Sequence, residues 1–529
     1  MEIASIEGDE VLLLYHPADS TAEVGEQFAI LELPSVEGEP DGGEETTDQP
    51  QDGLVVQVIR NESLQYAGLQ QENIQRVIED RIADIDHTLD QESGMTELKN
   101  LKVATAKIRK RIRDGEWEKW GGWIPTRNVE VNRIQSEELL DNIIPDQDIP
   151  LDSFTRFEGT PVRFDGTRLD MINAITGVKG TGKSHLAKLI TTRLSDNGVP
   201  VTIYDINGEY TVLPNSQNLV WGENFIPSLD EIGYEILETV VNSIYPLKET
   251  SSNVFSNNLP HIWAARREYT QNNNLEFKID IDYLRSRNWT KQQHVEGAID
   301  RRLSAVQNMD IFKSYGSGQD PEYTSLQEAY ETSCNEGRPI VFDMRETPSG
   351  LRRALVEAMN GRLEDICAEE AEHGSGRYPF VFFEEAHFYV SDSNILDIIT
   401  RARHIGIASF FITNTPQELP DPVFRQIDNL FLLGLSHNDD IRSVGRNSFT
   451  DEETIESFAT RMPRHHGLMM GKITDRYPLM VGIDDLPDEV PATGETRSTW
   501  DRFTEEDTTP PDDEPDDAAT FEPDDDLPF

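Results

Sequence analysis

One octapeptide decides more about this chain than any other stretch of it: Gly177-Val178-Lys179-Gly180-Thr181-Gly182-Lys183-Ser184. Its glycines let the backbone curl until successive N–H groups point at a single phosphate, and a helix N-terminus behind them adds partial positive charge. A lysine at the seventh position reaches the β- and γ-phosphates, and a hydroxyl at the eighth binds Mg2+. A loop of this kind works only between a buried strand and a helix. Both flanks are present. Met171–Thr176 is an apolar β-like run, and Leu186, Leu189, Ile190 and Leu194 recur at helical spacing until Asn197-Gly198 stops the helix. Gly177, Lys179, Gly180, Thr181, Gly182, Lys183 and Ser184 are therefore the candidate residues for holding ATP, with Ser184 also a candidate metal ligand.

The loop predicts an α/β core, and the chain supplies its strands. Between about 155 and 490, short apolar runs alternate with helical stretches: Val201–Asp205, Ile340–Asp343, Phe380–Phe383, Phe410–Thr413 and Leu430–Leu433. Runs unbroken by charge suit strands covered on both faces of a mostly parallel sheet. Ligands of such sheets bind at the carboxyl ends of the strands, so the residues found there are candidates for chemistry. Phe380–Phe383 ends in Glu384-Glu385, the first suited to orienting Mg2+ through its water shell and the second to polarising an attacking water. Consecutive acids argue for hydrolysis, because a nucleotide switch has less need of a dedicated base. Asp205 closes another strand, ahead of Gly208-Glu209-Tyr210, as a further candidate for binding the nucleotide, and Asn414 closes a third, placed to sense the γ-phosphate or hold the water; an ordinary turn-forming role is equally open to each. Residues 225–335 carry few strand-like runs and read as a helical insertion.

The flanks of the core differ in character. Residues 11–16, 28–33 and 54–60 alternate like strands, separated by turn-rich segments, and predict a small N-terminal β-barrel. An acidic loop (37–53) and a helix from about 70 to 84 complete a unit spanning 1–85. Within 86–154, Leu101, Ala104, Ile108 and Ile112 fall at helical spacing, and the stretch from Lys99 to Arg127 carries nine basic residues against three acids. The expectation is a basic helix running into a connector with Trp117, Trp120 and Trp123. It either faces DNA or docks on acidic protein surface. Beyond Pro491 the composition turns to Asp, Glu, Pro and Thr, a disordered acidic tail ending in Asp524-Asp525-Asp526-Leu527-Pro528-Phe529.

Across 529 residues, 47 basic side chains face 98 acidic ones, for a net charge of −51. Lysine contributes only 13 of the cations. Pervasive carboxylate with scarce lysine fits a halophilic, high-salt cytosol, where a Debye length of about 3 Å leaves net charge unable to exclude a polyanionic partner. No run approaches eighteen apolar residues and the N-terminus lacks a signal-peptide pattern, so a cytoplasmic protein without a membrane segment is expected. Two cysteines, Cys334 and Cys367, exclude a disulfide framework and a four-ligand zinc site of the usual kind. His465 and His466 lack an identifiable third metal ligand and read as packing, and His387 as a hydrogen-bonding neighbour of the acid pair.

Taken together, the barrel, the phosphate loop, Asp205 with Gly208-Glu209-Tyr210, Glu384-Glu385-Ala386-His387, Arg403-His404-Ile405-Gly406 and Thr413-Asn414-Thr415-Pro416 resemble the HerA branch of the HerA/FtsK superfamily. These are RecA-like P-loop DNA-translocating ATPases, and the resemblance is to archaeal HerA helicases in particular. It implies an Mg-dependent ATPase and helicase, assembled as a homo-hexamer around duplex DNA and working with a NurA-type nuclease in DNA repair or end resection. It also implies that Arg403 reaches the γ-phosphate of a neighbouring subunit. The chain departs from the family in carrying Glu384 where Asp is usual and Asn414 where Gln is usual. The acidic tip resembles that of bacterial single-stranded-DNA-binding proteins, which implies protein docking through the tail. Competing readings are a conjugation or packaging motor, and an ATP-binding switch or scaffold in a defence or membrane-associated assembly.

Overall fold

The computed structural model describes residues 1–33, 52–63, 101–126, 128–144, 149–170, 172–244, 246–273, 277–315, 323–372, 378–388, 407–445 and 449–492. The expected helix at 70–84, Arg403 and the acidic tail lie outside the described residues.

The N-terminal unit is an antiparallel sheet of seven strands: β1 (Glu2–Glu7), β2 (Glu10–Tyr15), β3 (Gln27–Glu32), β4 (Gly53–Ser63), β5 (Lys102–Arg113), β6 (Glu116–Lys119) and β7 (Val129–Arg133). They run in the order β1-β2-β5-β4-β3-β7, with β6 paired to β5. Period-two alternation builds its core, because Val11 and Leu13, Phe28 and Ile30, Leu54, Val56 and Val58, and Ala104, Ala106 and Ile108 all fall on one face. Ala29, Val55 and Ile112 join the hydrophobic cluster of the α/β core instead.

The strand β5 corrects the expected basic helix. Ala104, Ile108 and Ile112 are four apart, a spacing that satisfies a helical stripe and also one face of a strand. Val103, Thr105 and the intervening Ala106 decide for the strand. Sitting between β2 and β4, it has both edges hydrogen-bonded.

A second sheet of eleven strands follows. Its members are β8 (Pro150–Phe157), β9 (Thr160–Asp165), β10 (Ile172–Thr176), β11 (Val201–Asp205), β12 (Gln217–Val220), β13 (Ile340–Asp343), β14 (Phe380–Phe383), β15 (Ala408–Thr413), β16 (Asn429–Leu432), β17 (His466–Gly471) and β18 (Leu479–Ile483). The order is β12-β13-β11-β14-β15-β10-β16-β17-β18-β8-β9. The strands from β12 through β16 in that order are parallel, and those from β17 onward pair antiparallel.

Alternation sorts the strand residues onto two covered faces. Ile175, Ile203, Phe382, Phe410 and Ile412 pack with Leu186, Leu189 and Ile190 of the helix Lys183–Asp196, named α1 here. Ala174, Tyr204, Phe342, Val381, Phe383 and Phe411 face the other way. There they meet the helical insertion, α2 (Leu229–Ile244), α3 (Glu249–Asn273), α4 (Ile281–Ser286), α5 (Gln293–Gln307) and α6 (Leu326–Glu336), and then α7 (Ser349–Glu372). The result is the expected RecA-like α/β P-loop core with a helical insertion behind an N-terminal β unit. Among the described residues no helix is long and apolar enough to cross a membrane.

Candidate nucleotide site

Four parallel strands, β11, β14, β15 and β10, lie side by side and end on one edge of the sheet. Topology therefore gathers Asp205, Glu384-Glu385, Asn414 and the phosphate loop, although 237 residues separate Gly177 from Asn414.

The loop is shaped by its glycines. A Cβ on Gly177 would collide with the Leu433 carbonyl oxygen, and Gly182 takes a left-handed φ of 104° as it opens α1. Val178 N–H donates to the Gly434 carbonyl at 3.1 Å and the Thr181 hydroxyl to the Val178 carbonyl at 2.8 Å, fixing the curl from both sides. Lys179 and Gly180 stand exposed at its tip.

Lys183 folds back into the loop. Its ammonium donates to the carbonyls of Gly177 at 3.0 Å and Val178 at 3.2 Å, and to Oδ1 of Asn414. Burial lowers the affinity of this ammonium for its proton, and the charges of Glu385, Glu209 and Glu384 oppose the shift. The amide of Asn414 faces both ways, because its Nδ2 donates to Oε1 of Glu385. Lys183 and Glu385 are thus joined through one side chain.

Glu385 holds a left-handed backbone, φ 47°, which is uncommon outside glycine and turns its carboxylate toward β15. Its Oε2 lies 3.5 Å from Nδ1 of His387, which in turn lies 3.2 Å from the Thr413 hydroxyl. His387 thus completes a hydrogen bond, to Thr413, beside the acid pair, as its sequence position suggests.

Glu384 points elsewhere. Its Oε2 accepts from the backbone N–H of Ile206 at 3.0 Å and of Asn207 at 3.3 Å, and its Oε1 from Nδ2 of Asn207 at 3.1 Å. The longer reach of Glu spans the gap to the turn after β11. The residue is 3% exposed, and burial, followed by the adjacent negative charges of Asp205 and Glu209, holds its carboxyl well above the usual range. Asp205 is committed to the same turn: Oδ1 accepts from Gly208 N–H at 2.7 Å and Glu209 N–H at 3.1 Å, and Oδ2 from Tyr210 N–H at 2.8 Å. It organises the loop that presents Glu209 and Tyr210.

Among the described residues no group of three or more His, Cys, Asp or Glu side chains is arranged to cage a metal. The two candidate donors, the Ser184 hydroxyl and the Glu384 carboxylate, are hard oxygens. Mg2+ favours such donors, and it completes its shell with water and phosphate rather than with protein alone. The residues present fit that ion.

Asn207, Glu209 and Tyr210 were not singled out individually as site residues from sequence. Asn207 has no signal beyond following a strand-terminal acid in a turn-forming Asn-Gly stretch, and Glu209 and Tyr210 enter otherwise only within the resemblance. Tyr210 is fully buried, and its hydroxyl is pushed far up by burial and the surrounding carboxylates.

The basic strand lies outside this site. Lys107 pairs with Glu10 at 2.8 Å, Asp9 at 3.4 Å and Glu453 at 3.5 Å. The guanidinium of Arg109 donates to Gln57 at 3.0 Å, Thr454 at 2.9 Å and Asp451 at 3.4 Å, Lys110 pairs with Asp475, and Arg111 with Asp52 at 3.3 Å. Of the two roles open to this segment, docking on acids of its own chain describes these four cations. Trp120 and Trp123 pack on the N-terminal core, and Arg111 lies 4.7 Å over the Trp123 ring. His465 packs edge-on against His185 at 5.6 Å, and both cysteines are buried and outside any disulfide.

Residues 151–363 match the family model described as the central domain of helicase HerA. Over that stretch the chain is similar to the HerA family. The matched stretch of this HerA-type core runs from β8 through most of α7 and contains the phosphate loop, while Glu384, Glu385 and Asn414 lie beyond it. No curated protein matches the chain in sequence. Among solved structures it is similar to the bacterial conjugative coupling protein TrwB, at 11% identity over 66% of this chain and 92% of that one, TM-score 0.46. It is also similar to VirB4 of Thermoanaerobacter pseudethanolicus, at 15% identity over 66% and 100%, TM-score 0.46. The genome packaging NTPase B204 of Sulfolobus turreted icosahedral virus 2 aligns at 12% identity over 60% and 100%, TM-score 0.31.

Proposed function

We propose that the protein is an ATP-hydrolysing DNA translocase of the HerA type, acting on duplex DNA as a homo-hexamer. The observation that carries the proposal is the continuous link from Lys183 through Asn414 to Glu385, which couples the phosphate-binding cation to the candidate base. In this reading the loop N–H groups and Lys183 hold the phosphates, and Ser184 and Glu384 hold Mg2+, which supplies charge neutralisation at the β- and γ-phosphates. Glu385 accepts the proton of the attacking water. Its αL backbone and the Asn414 hydrogen bond fix where its oxygens stand, so little reorganisation is left for the transition state. Arg403 of a neighbouring subunit completes the charge balance. A NurA-type nuclease partner and a docking role for the acidic tail follow from the resemblances set out above.

The test is ATPase activity at high salt with and without duplex DNA, combined with electron micrographs of particles formed with ATP. DNA-stimulated hydrolysis by six-fold rings with a central hole supports the translocase. Hydrolysis indifferent to DNA replaces it with a nucleotide switch or scaffold, and failure to retain ATP removes the nucleotide reading altogether.

A further inference from the structure

The reaction accounts for one side of the phosphate loop and leaves the other without a role. A lysine in the place of Lys183 reaches the β- and γ-phosphates, and its bond to Asn414, with Glu385 behind, sets the γ-phosphate on the side of β14 and β15. The α-phosphate and the nucleoside then leave on the opposite side, over β16, β17 and β18. That side is built against the loop. A Cβ on Gly434 would meet Cγ2 of Thr181 at 3.6 Å, the Ala459 carbonyl oxygen at 3.7 Å and Cβ of Met462 at 4.0 Å, so the segment from Ala459 to Met462 stands beside the phosphate loop. It runs on through Pro463 and Arg464 to His465, and β17 opens at His466, whose partner in β18 is Gly482. Three strand spacings separate β15 from β17, about 14 Å, a span that an extended triphosphate with its sugar can cover.

Two imidazoles meet there. His185 directly follows Ser184 in α1, and its Nε2 donates to the Asp484 carbonyl at 2.7 Å, just past the end of β18. The His465 ring packs edge-on to it, and the His465 carbonyl accepts from Ile483 N–H at 2.7 Å. His465 is nonetheless exposed, on a left-handed backbone with φ 59°. A residue with a side chain holds that conformation only where its surroundings over-determine it. Arg461 and Arg464 are exposed on the same segment and pair with no acid among the described residues, so the approach to the ring is cationic, as a phosphorylated ligand requires. Nucleobases stack on aromatic side chains, histidine among them. We infer that the exposed His465 ring, braced by His185, is the platform on which the base of the bound nucleotide stacks. The inference rests on the nucleotide reading of the site.

The experiment uses the full chain at high salt and compares the Kd of ATP with that of inorganic tripolyphosphate, which carries the phosphates without a base, both in the presence of Mg2+. His465→Asn removes the ring and tolerates the left-handed backbone. It is expected to weaken ATP by about tenfold, the loss that removing one base–aromatic stack brings, and to leave tripolyphosphate binding unchanged. Wild-type affinity for ATP in the variant overturns the inference. An equal loss for both ligands overturns it too, because the segment would then act only by propping the phosphate loop. Should His465→Asn fail to fold, the wild type carries the test. Acylation of His465 by diethyl pyrocarbonate, read by mass spectrometry, should be slowed by ATP and not by tripolyphosphate, and equal protection or none overturns the inference. A wild-type protein that retains neither ligand removes the nucleotide reading itself, so the two failures are told apart.

Discussion

Asn414→Ala separates the two halves of the site with a single small change. The side chain accepts from Lys183 and donates to Glu385, so its loss removes two hydrogen bonds to charged groups, each worth about 1.5–3 kcal/mol. The partners are left in unequal positions. Lys183 keeps the carbonyls of Gly177 at 3.0 Å and Val178 at 3.2 Å and is freer to turn to phosphate, so nucleotide affinity should hold or tighten by up to about tenfold. Glu385 keeps only His387 at 3.5 Å, a distance beyond a good hydrogen bond, and loses its orientation. At about 1.4 kcal/mol per factor of ten, losing 1.5–3 kcal/mol in the transition state lowers kcat by about 10- to 150-fold. The assay is steady-state hydrolysis alongside the Kd of a fluorescent ATP analogue at the same salt. Asn414→Gln, which installs the residue usual in the resembling family, should recover part of the rate. A folded Asn414→Ala protein with kcat within twofold of wild type refutes the coupling, and so does an equal loss in Kd, because the amide would then act through binding alone.

The raised Glu384 carboxyl makes the nucleotide-free protein sensitive to alkali. A carboxyl whose folded value lies above the ordinary 4.5 holds its proton after the unfolded chain has released it, so its stability contribution is complete at low pH and declines as the pH climbs toward the folded value. Glu384→Gln should flatten that decline in denaturant titrations at several pH values, and an unchanged pH slope would contradict the burial argument. Asp451 behaves in the opposite sense. Burial, which alone would raise its carboxyl, is outweighed by hydrogen bonds from Thr454 and by the charges of Arg109 and Lys107, so its contribution is present at neutral pH and lost as acid passes its lowered value. Asp451→Ala also strips the N-cap of the helix Glu452–Ala459 and leaves Arg109 buried, and should cost about 2–4 kcal/mol by urea denaturation. A loss under 1 kcal/mol would mean that the N-terminal sheet does not depend on this pair. Arg403→Ala should leave nucleotide binding intact and abolish turnover, and normal turnover removes Arg403 from the site.

What could be read from the chain before its structure, and what could not, divides along physical lines. The phosphate loop was legible because its chemistry tolerates few substitutions. Val201–Asp205, Ile340–Asp343 and Phe380–Phe383 were legible to the residue because strands covered on both faces admit charge only at their ends. The segment around β5 misled because a four-residue spacing suits both periods, and because six cations in it suggested solvent. Their partners, Glu10, Asp52, Asp451 and Asp475, are distant in sequence, and three of them come from elements that only the fold brings near. The candidate site showed the same limit. Strand-end acids announced themselves, and the Asn-Gly stretch after Asp205 left open the turn-forming role that three backbone N–H groups now fill, but nothing local said that Glu384 would reach across to hold the turn after β11.

The commitment of β5's cations has a mechanical consequence. With Lys107, Arg109, Lys110 and Arg111 each held by a carboxylate of the same chain, β5 is pinned at four points along its length to residues remote from it in sequence. Ion pairs yield to ionic strength as far as water reaches them, and with Asp475 61% exposed the hold on this strand should slacken as salt rises.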